Sequence, residues 1–138
     1  MSDLNDFNRA IIEEFRANDG KVGGPFARAS MVLLTTTGAK SGRRITTPLV
    51  YQQDGDSLVI IASKAGAPTH PAWYHNLLAN PVVRLEVGSE TFEARATVAG
   101  EVERTRLYQQ AVEAMPQFAE YQRNTTRLIP VVVLKRLR

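Results

Sequence analysis

The chain has 138 residues, 43% of them hydrophobic, with a formal net charge of +3; that is enough to bury one core and short for two. It has no cysteine, which excludes disulfides, thiolate metal sites and a cysteine nucleophile together and fits a reducing cytoplasm. Between residues 21 and 64 the cations Lys21, Arg28, Lys40, Arg43, Arg44 and Lys64 stand against Asp54 and Asp56 alone, whereas between 84 and 120 seven glutamates outnumber four arginines, so a polycationic surface is excluded and one local anion site is expected.

Residues 3–17 place Leu4, Phe7, Ala10, Ile11 and Phe15 at spacings of three and four, which predicts an amphipathic helix. Its acidic start lacks the pattern of a signal peptide, and no apolar run approaches the roughly 20 residues of a membrane span. The stripe is expected to pack on the rest of the fold, with peripheral membrane contact as the rarer alternative. Residues 1–25, the helix with its connector Asn18-Asp19-Gly20 and Gly23-Gly24-Pro25, are set apart from a domain over 26–138.

Residues 31–34 begin a buried strand that Thr35, Thr36 and Thr37 extend with side chains suited to pleated edges. Residues 38–44 are a turn, and 45–52 resume strand character up to Asp54-Gly55, a hairpin signal answered by 58–62. Pro71 at a first helical turn, followed by Trp73, Tyr74, Leu77 and Leu78, predicts a short helix ending before Pro81. A second hairpin joins 82–87 to 91–98 around Gly88-Ser89. Residues 101–114 have helical composition, Pro116 opens another short helix, and 129–134 form a last buried strand. About six strands and four short helices, dominated by hairpins, predict an α+β, mainly β, antiparallel barrel with helices outside it, since a parallel sheet would need crossover helices.

Three segments carry chemistry. In residues 35–44 two glycines let backbone N–H groups turn toward an anion, while hydroxyls and the cations Lys40, Arg43 and Arg44 add donors; a bland hairpin with solvated charges is the even alternative, and the Walker order is absent. Residues 60–67 end a strand in small side chains, where a flat ring can approach the main chain and N–H groups can bind a ring oxygen. In residues 71–76, Trp73 can wall a ring slot or simply close the core, and Asn76 can bond a ring edge or the phosphate region. His70 and His75 lack helical ligand spacing, which argues against a metal site, and no nucleophile elbow is present. Tyr108, Met115, Phe118 and Tyr121 are either core or the wall facing a hydrophobic substrate.

In order, TTTGAKSG, the TPL of Thr47, Pro48 and Leu49, ASKAG, PAWYHNLLANP and IPVVV resemble the deazaflavin-dependent nitroreductase and quinone reductase family, actinobacterial enzymes that use 8-hydroxy-5-deazaflavin, coenzyme F-420. The resemblance covers about residues 31–133 and implies a split β-barrel related to flavin-mononucleotide-binding oxidoreductases. It implies that Lys40, Ser41, Gly42, Arg43 and Arg44 hold the phosphate and oligoglutamate tail. Ala62, Ser63, Lys64 and Ala65 would line the deazaflavin, with Trp73 and Asn76 on the helix beside it and Thr37, Thr47, Pro48 and Ile61 as further coenzyme-binding positions. Where family members often carry an arginine, residue 45 is Ile; where some nitroreductases present several tyrosines, Met115, Phe118 and Tyr121 stand, and only Tyr121 keeps a hydroxyl.

The expected reaction is hydride transfer to a small hydrophobic electron acceptor such as a quinone, an activated enone or a nitro compound, the protein orienting both rings and excluding water. Tyr121 or solvent would supply the proton, with Ser63 as the weaker donor. A monomer or weak dimer is expected. The rivals are a flavin-mononucleotide protein of the same barrel type and, from another class, a nucleic-acid-binding barrel. Against the latter, no aromatic residue is interleaved with the cations from Lys40 to Arg44.

Overall fold

Seven strands form one antiparallel sheet in the order β2-β1-β5-β6-β7-β4-β3: β1 (Met31–Thr37), β2 (Arg44–Val50), β3 (Gln52–Asp54), β4 (Ser57–Ile61), β5 (Val82–Val87), β6 (Glu90–Val98) and β7 (Val131–Arg136). The helices are α1 (Asp3–Ala17), α2 (Ala72–Ala79), α3 (Glu101–Ala114) and α4 (Gln117–Arg123). The structure is a computed structural model and describes residues 3–24 and 30–137, with side chains from residue 6 onward. Arg28, the side chain of Leu4 and the expected boundary at 25/26 lie outside the described residues.

The barrel follows from one covalent link. β2 and β3 occupy opposite ends of the sheet's order, yet only Tyr51 separates them in the chain. At about 3.3 Å per residue, the two edges cannot lie far apart, so the sheet must curl until they meet. The expected strand 45–52 is accordingly two: β2 pairs with β1 and β3 with β4, and Tyr51 leaves the ladder to donate its N–H to the Ser30 carbonyl at 3.0 Å. The strand count is seven rather than six for this reason alone. Pro48, which has no N–H to offer, sits on the edge strand β2.

Strands with two covered faces read as continuous apolar runs. Val32 and Leu34 of β1 point into the barrel with Leu58, Ile60, Leu85 and Leu134, while Met31 and Leu33 lie under Ile11 and Phe15 of α1. Val59, Ile61, Val131 and Val133 pack against Leu107, Tyr108 and Ala111 of α3 and Phe118 of α4. β5 and β6 are covered on one side and alternate in burial instead. The apolar stripe of α1 therefore packs on the sheet through Ile11 and Phe15, and Arg16 anchors the helix to Glu86 of β5 by a two-pronged ion pair at 2.9 and 2.8 Å. Pro71 stands one residue earlier than expected, as the extended cap before α2.

Candidate active site

A cavity of about 570 Å³ opens where α1, β2, the end of β4, α2 and α4 converge. β2 contributes Ile45, Thr47, Pro48 and Leu49; the chain leaving β4 contributes Ile61, Ser63, Lys64 and Ala65; α2 contributes Trp73 and Asn76. Met115, Gln117, Phe118 and Tyr121 form the wall at α4, and Phe7, Asn8 and Ile11 of α1 line the cavity where that helix packs on the sheet.

The chain after β4 is the most unusual backbone here. Lys64, Ala65 and Gly66 all adopt left-handed conformations, with φ of 46°, 54° and 82°; for a non-glycine residue this costs on the order of 1–2 kcal/mol. Two tight backbone bonds, Gly66 N–H to Ser63 O (2.9 Å) and Ala67 N–H to Lys64 O (3.0 Å), close the turn. Residue 66 must be glycine for a second reason: a Cβ there would sit 3.0 Å from the Tyr121 carbonyl and 3.1 Å from its Cα. The turn and α4 thus meet backbone to backbone. Ser63 is buried and its hydroxyl does not cap the turn, which leaves it for the cavity.

The basic hairpin is closed by Gly38 N–H to Arg43 O (2.7 Å), Gly42 N–H to Gly38 O (3.0 Å) and Arg43 N–H to the Ser41 hydroxyl (3.1 Å). Its side chains Lys40, Ser41, Arg43 and Arg44 are exposed, Gly42 is in the left-handed region at φ 71°, and none of the three cations joins an ion pair among the described residues. Thr37, half-buried at the hairpin's start, accepts a bond from Asn80 Nδ2 at 3.3 Å. Asn76, 7% exposed, receives the Ala39 N–H on Oδ1 (3.0 Å) and donates from Nδ2 to Thr36 Oγ1 (3.2 Å). The amide expected to face a ligand is thus bonded to β1 and the hairpin, fixing the basic loop beside the cavity. Thr35 and Thr36 are buried rather than at an edge, and each finds a partner, Thr35 in Thr46 at 2.7 Å.

Of the residues singled out by sequence, Thr47, Pro48, Ile61, Ser63, Lys64, Ala65, Trp73, Asn76, Met115, Phe118 and Tyr121 come together at the cavity. Trp73 both closes the barrel core and walls the cavity. Ala62 is fully buried in the barrel core and not on the cavity wall, and Thr37 with residues 40–44 lies outside the lining. Sequence reasoning missed the α1 wall, because the helix was set apart as a separate unit, and Arg127. Arg127 donates to the carbonyls of Ala62 (3.2 Å), Ser63 (2.8 Å) and Ala67 (2.9 Å), bonds that no side-chain pattern announces.

The model of the F420H2-dependent quinone reductase family matches residues 7–136. The chain belongs to this family. An F420H2-dependent quinone reductase of Mycobacterium tuberculosis is 43% identical over 127 residues, 88% of this chain and 85% of that protein. A solved F420-H2 dependent reductase superposes with a TM-score of 0.71 at 42% identity, covering 77% of this chain and 94% of its own. A second structure, described as a domain-swapped dimer, gives 0.73 at 38% identity and covers 95% and 98%. As a member of this quinone reductase family the chain is an oxidoreductase that depends on reduced coenzyme F-420. The split barrel with flanking helices is the architecture shared with the reductase structure. Among the described residues no helix is long and apolar enough to cross a membrane.

Proposed function

We propose that the chain reduces a quinone or a chemically similar electron-poor acceptor in this cavity, with the coenzyme's ring against residues 61–65 and its anionic tail on the basic hairpin. The observation that carries the reading is the pairing of an apolar cavity, lined at the left-handed turn by the small side chains of Ser63 and Ala65, with an adjacent hairpin whose three cations join no ion pair among the described residues. Such cations suit a polyanionic chain, and small side chains suit a flat ring. When bound, the coenzyme supplies the hydride.

The protein's own work is positional. Lys40, Arg43 and Arg44 bind the tail, with the Ser41 hydroxyl as a further donor. Trp73, Pro48 and Ile61 hold a ring flat and keep water from it; Phe7, Ile11, Met115 and Phe118 offer the acceptor an apolar bed opposite. Tyr121, packed edge-on against Phe118 at 5.8 Å, holds the one phenol among the described lining residues and is the proton source for the reduced acceptor, with Ser63 as the alternative.

The test is to mix the protein with reduced coenzyme F-420 and a panel of quinones, enones and nitroaromatics, following loss of the coenzyme's absorbance. Turnover of quinones is expected. Binding of flavin mononucleotide in preference to F-420, or bound coenzyme with no acceptor turned over, overturns the reading.

A further inference from the structure

Arg127 lies in the connection between α4 and β7, far in sequence from the turn it touches. Its guanidinium uses Nε on the Ala67 carbonyl, Nη2 on the Ser63 carbonyl, and Nη1 on both the Ala62 carbonyl and His70 Nδ1 at 2.9 Å. These acceptors flank the left-handed residues 64–66 on both sides, so one planar, permanently charged group clamps the whole turn. The clamp is itself tied to α4, since Gln122 Nε2 donates to the Arg127 carbonyl at 2.8 Å, and α4 carries Phe118 and Tyr121 on the cavity wall.

The fourth acceptor differs from the three carbonyls because it titrates. An arginine has only donors, so His70 Nδ1 must be unprotonated to receive it. Protonation would set N–H against N–H beside a fixed positive charge. The groups facing His70 are Arg127 from the α4–β7 connection and, from α2, Tyr74 at 4.8 Å and His75 at 5.8 Å between ring centroids. On its own loop Lys64 Nζ reaches Thr69 at 3.3 Å.

We infer that Arg127 is a positioning residue for the coenzyme turn and that His70 makes its grip pH-sensitive: neutral His70 keeps residues 63–66 in the shape that receives the ring, and protonated His70 releases them. This rests on the reading that these residues receive the coenzyme. Burial, then the charges of Arg127 and His75, hold the His70 pKa below the ordinary histidine value. The neutral form therefore persists somewhat below pH 6.5, and the grip is lost as pH falls through the lowered pKa.

The experiment measures the dissociation constant of oxidised coenzyme F-420, by quenching of its fluorescence, for the wild type, Arg127→Lys and His70→Asn between about pH 8 and about pH 5. Lysine keeps the charge but loses the fork, and about tenfold weaker binding is expected. Asparagine offers a non-titrating acceptor, so the wild type should lose about tenfold more affinity than His70→Asn on acidification. The coenzyme's own titration is common to both proteins and cancels in the comparison. Nitrogen NMR of the chain alone should show an unprotonated Nδ1 on His70 at neutral pH, a readout that stands even where Arg127→Lys fails to fold. Wild-type affinity in Arg127→Lys, parallel pH profiles for wild type and His70→Asn, or a protonated Nδ1 would each overturn the inference. A wild-type chain that does not bind the coenzyme at all overturns instead the functional reading beneath it.

Discussion

The hairpin at 38–43 and the turn at 62–67 flank the same cavity and are built on opposite plans. The hairpin's side chains are exposed, its cations join no ion pair among the described residues, and it is held from below by the Asn76 amide. The turn is fixed from every side: by Arg127, by two internal backbone bonds and by the close approach of Gly66 to Tyr121. A long anionic chain is served by charges that can follow it, since such contacts act at a distance and tolerate movement. A ring that must present one carbon to a second molecule needs a surface that does not move. The difference between the two regions is therefore the difference between holding a tail and aiming a ring.

The comparison can be broken most strongly at the hairpin. Replacing Lys40, Arg43 and Arg44 together by alanine should weaken coenzyme binding by about a hundredfold at low salt while leaving the melting temperature unchanged, and should flatten the salt dependence of the dissociation constant. An unaltered salt slope would remove the hairpin from the tail site. At the turn the signature reverses: Gly66→Ala, forced into φ of 82° against Tyr121, should cost about 1–3 kcal/mol of stability in denaturant titration, with turnover falling alongside because α4 is displaced. Asn76→Leu tests the link between the regions. It leaves the Ala39 N–H and the Thr36 hydroxyl without their partner, so a loss of about 1–3 kcal/mol is expected, with weaker tail binding although no charge has changed.

The smallest expected effect concerns α1, which lines the cavity through Phe7, Asn8 and Ile11. The hydrogen bond from Arg16 lowers the Glu86 carboxyl below its ordinary value of 4.5. A depressed folded-state pKa means the contribution is present above that value and disappears as pH falls through the lower one. Glu86→Gln should thus destabilise the chain by less than about 1 kcal/mol at neutral pH, and the gap to wild type should close in acid. A gap that persists at low pH would show that the ion pair is not its source.

Legibility in the sequence followed the kind of group involved. The apolar run at 31–34 and the Asp54-Gly55 signal were readable because side chains and turn residues carry their own patterns. The break at Tyr51 was not, because Val50, Tyr51 and Gln52 look like uninterrupted strand and only closure of the sheet separates them. Of the small residues after β4 that point to a ring slot, Ser63 and Ala65 line the cavity, whereas Gly66 and Ala67 do not and Ala62, by a one-residue difference in facing, turns into the core. Asn76 was placed beside the coenzyme by resemblance, yet its bonds go to Thr36 and Ala39. Arg127 gave no signal because its partners are mostly carbonyls about sixty positions away, and a carbonyl is the same at every residue.

Tyr51 has a consequence for how this chain can vary over evolutionary time. A loop usually absorbs an added or lost residue, but this joint fastens the two ends of a curled sheet. One extra residue would invert the facing of Gln52, Gln53 and Asp54 and draw Asp54 away from the Arg106 guanidinium it meets at 3.1 Å on α3. Among relatives sharing the barrel, the length of the chain at this joint should be as invariant as the composition of any site.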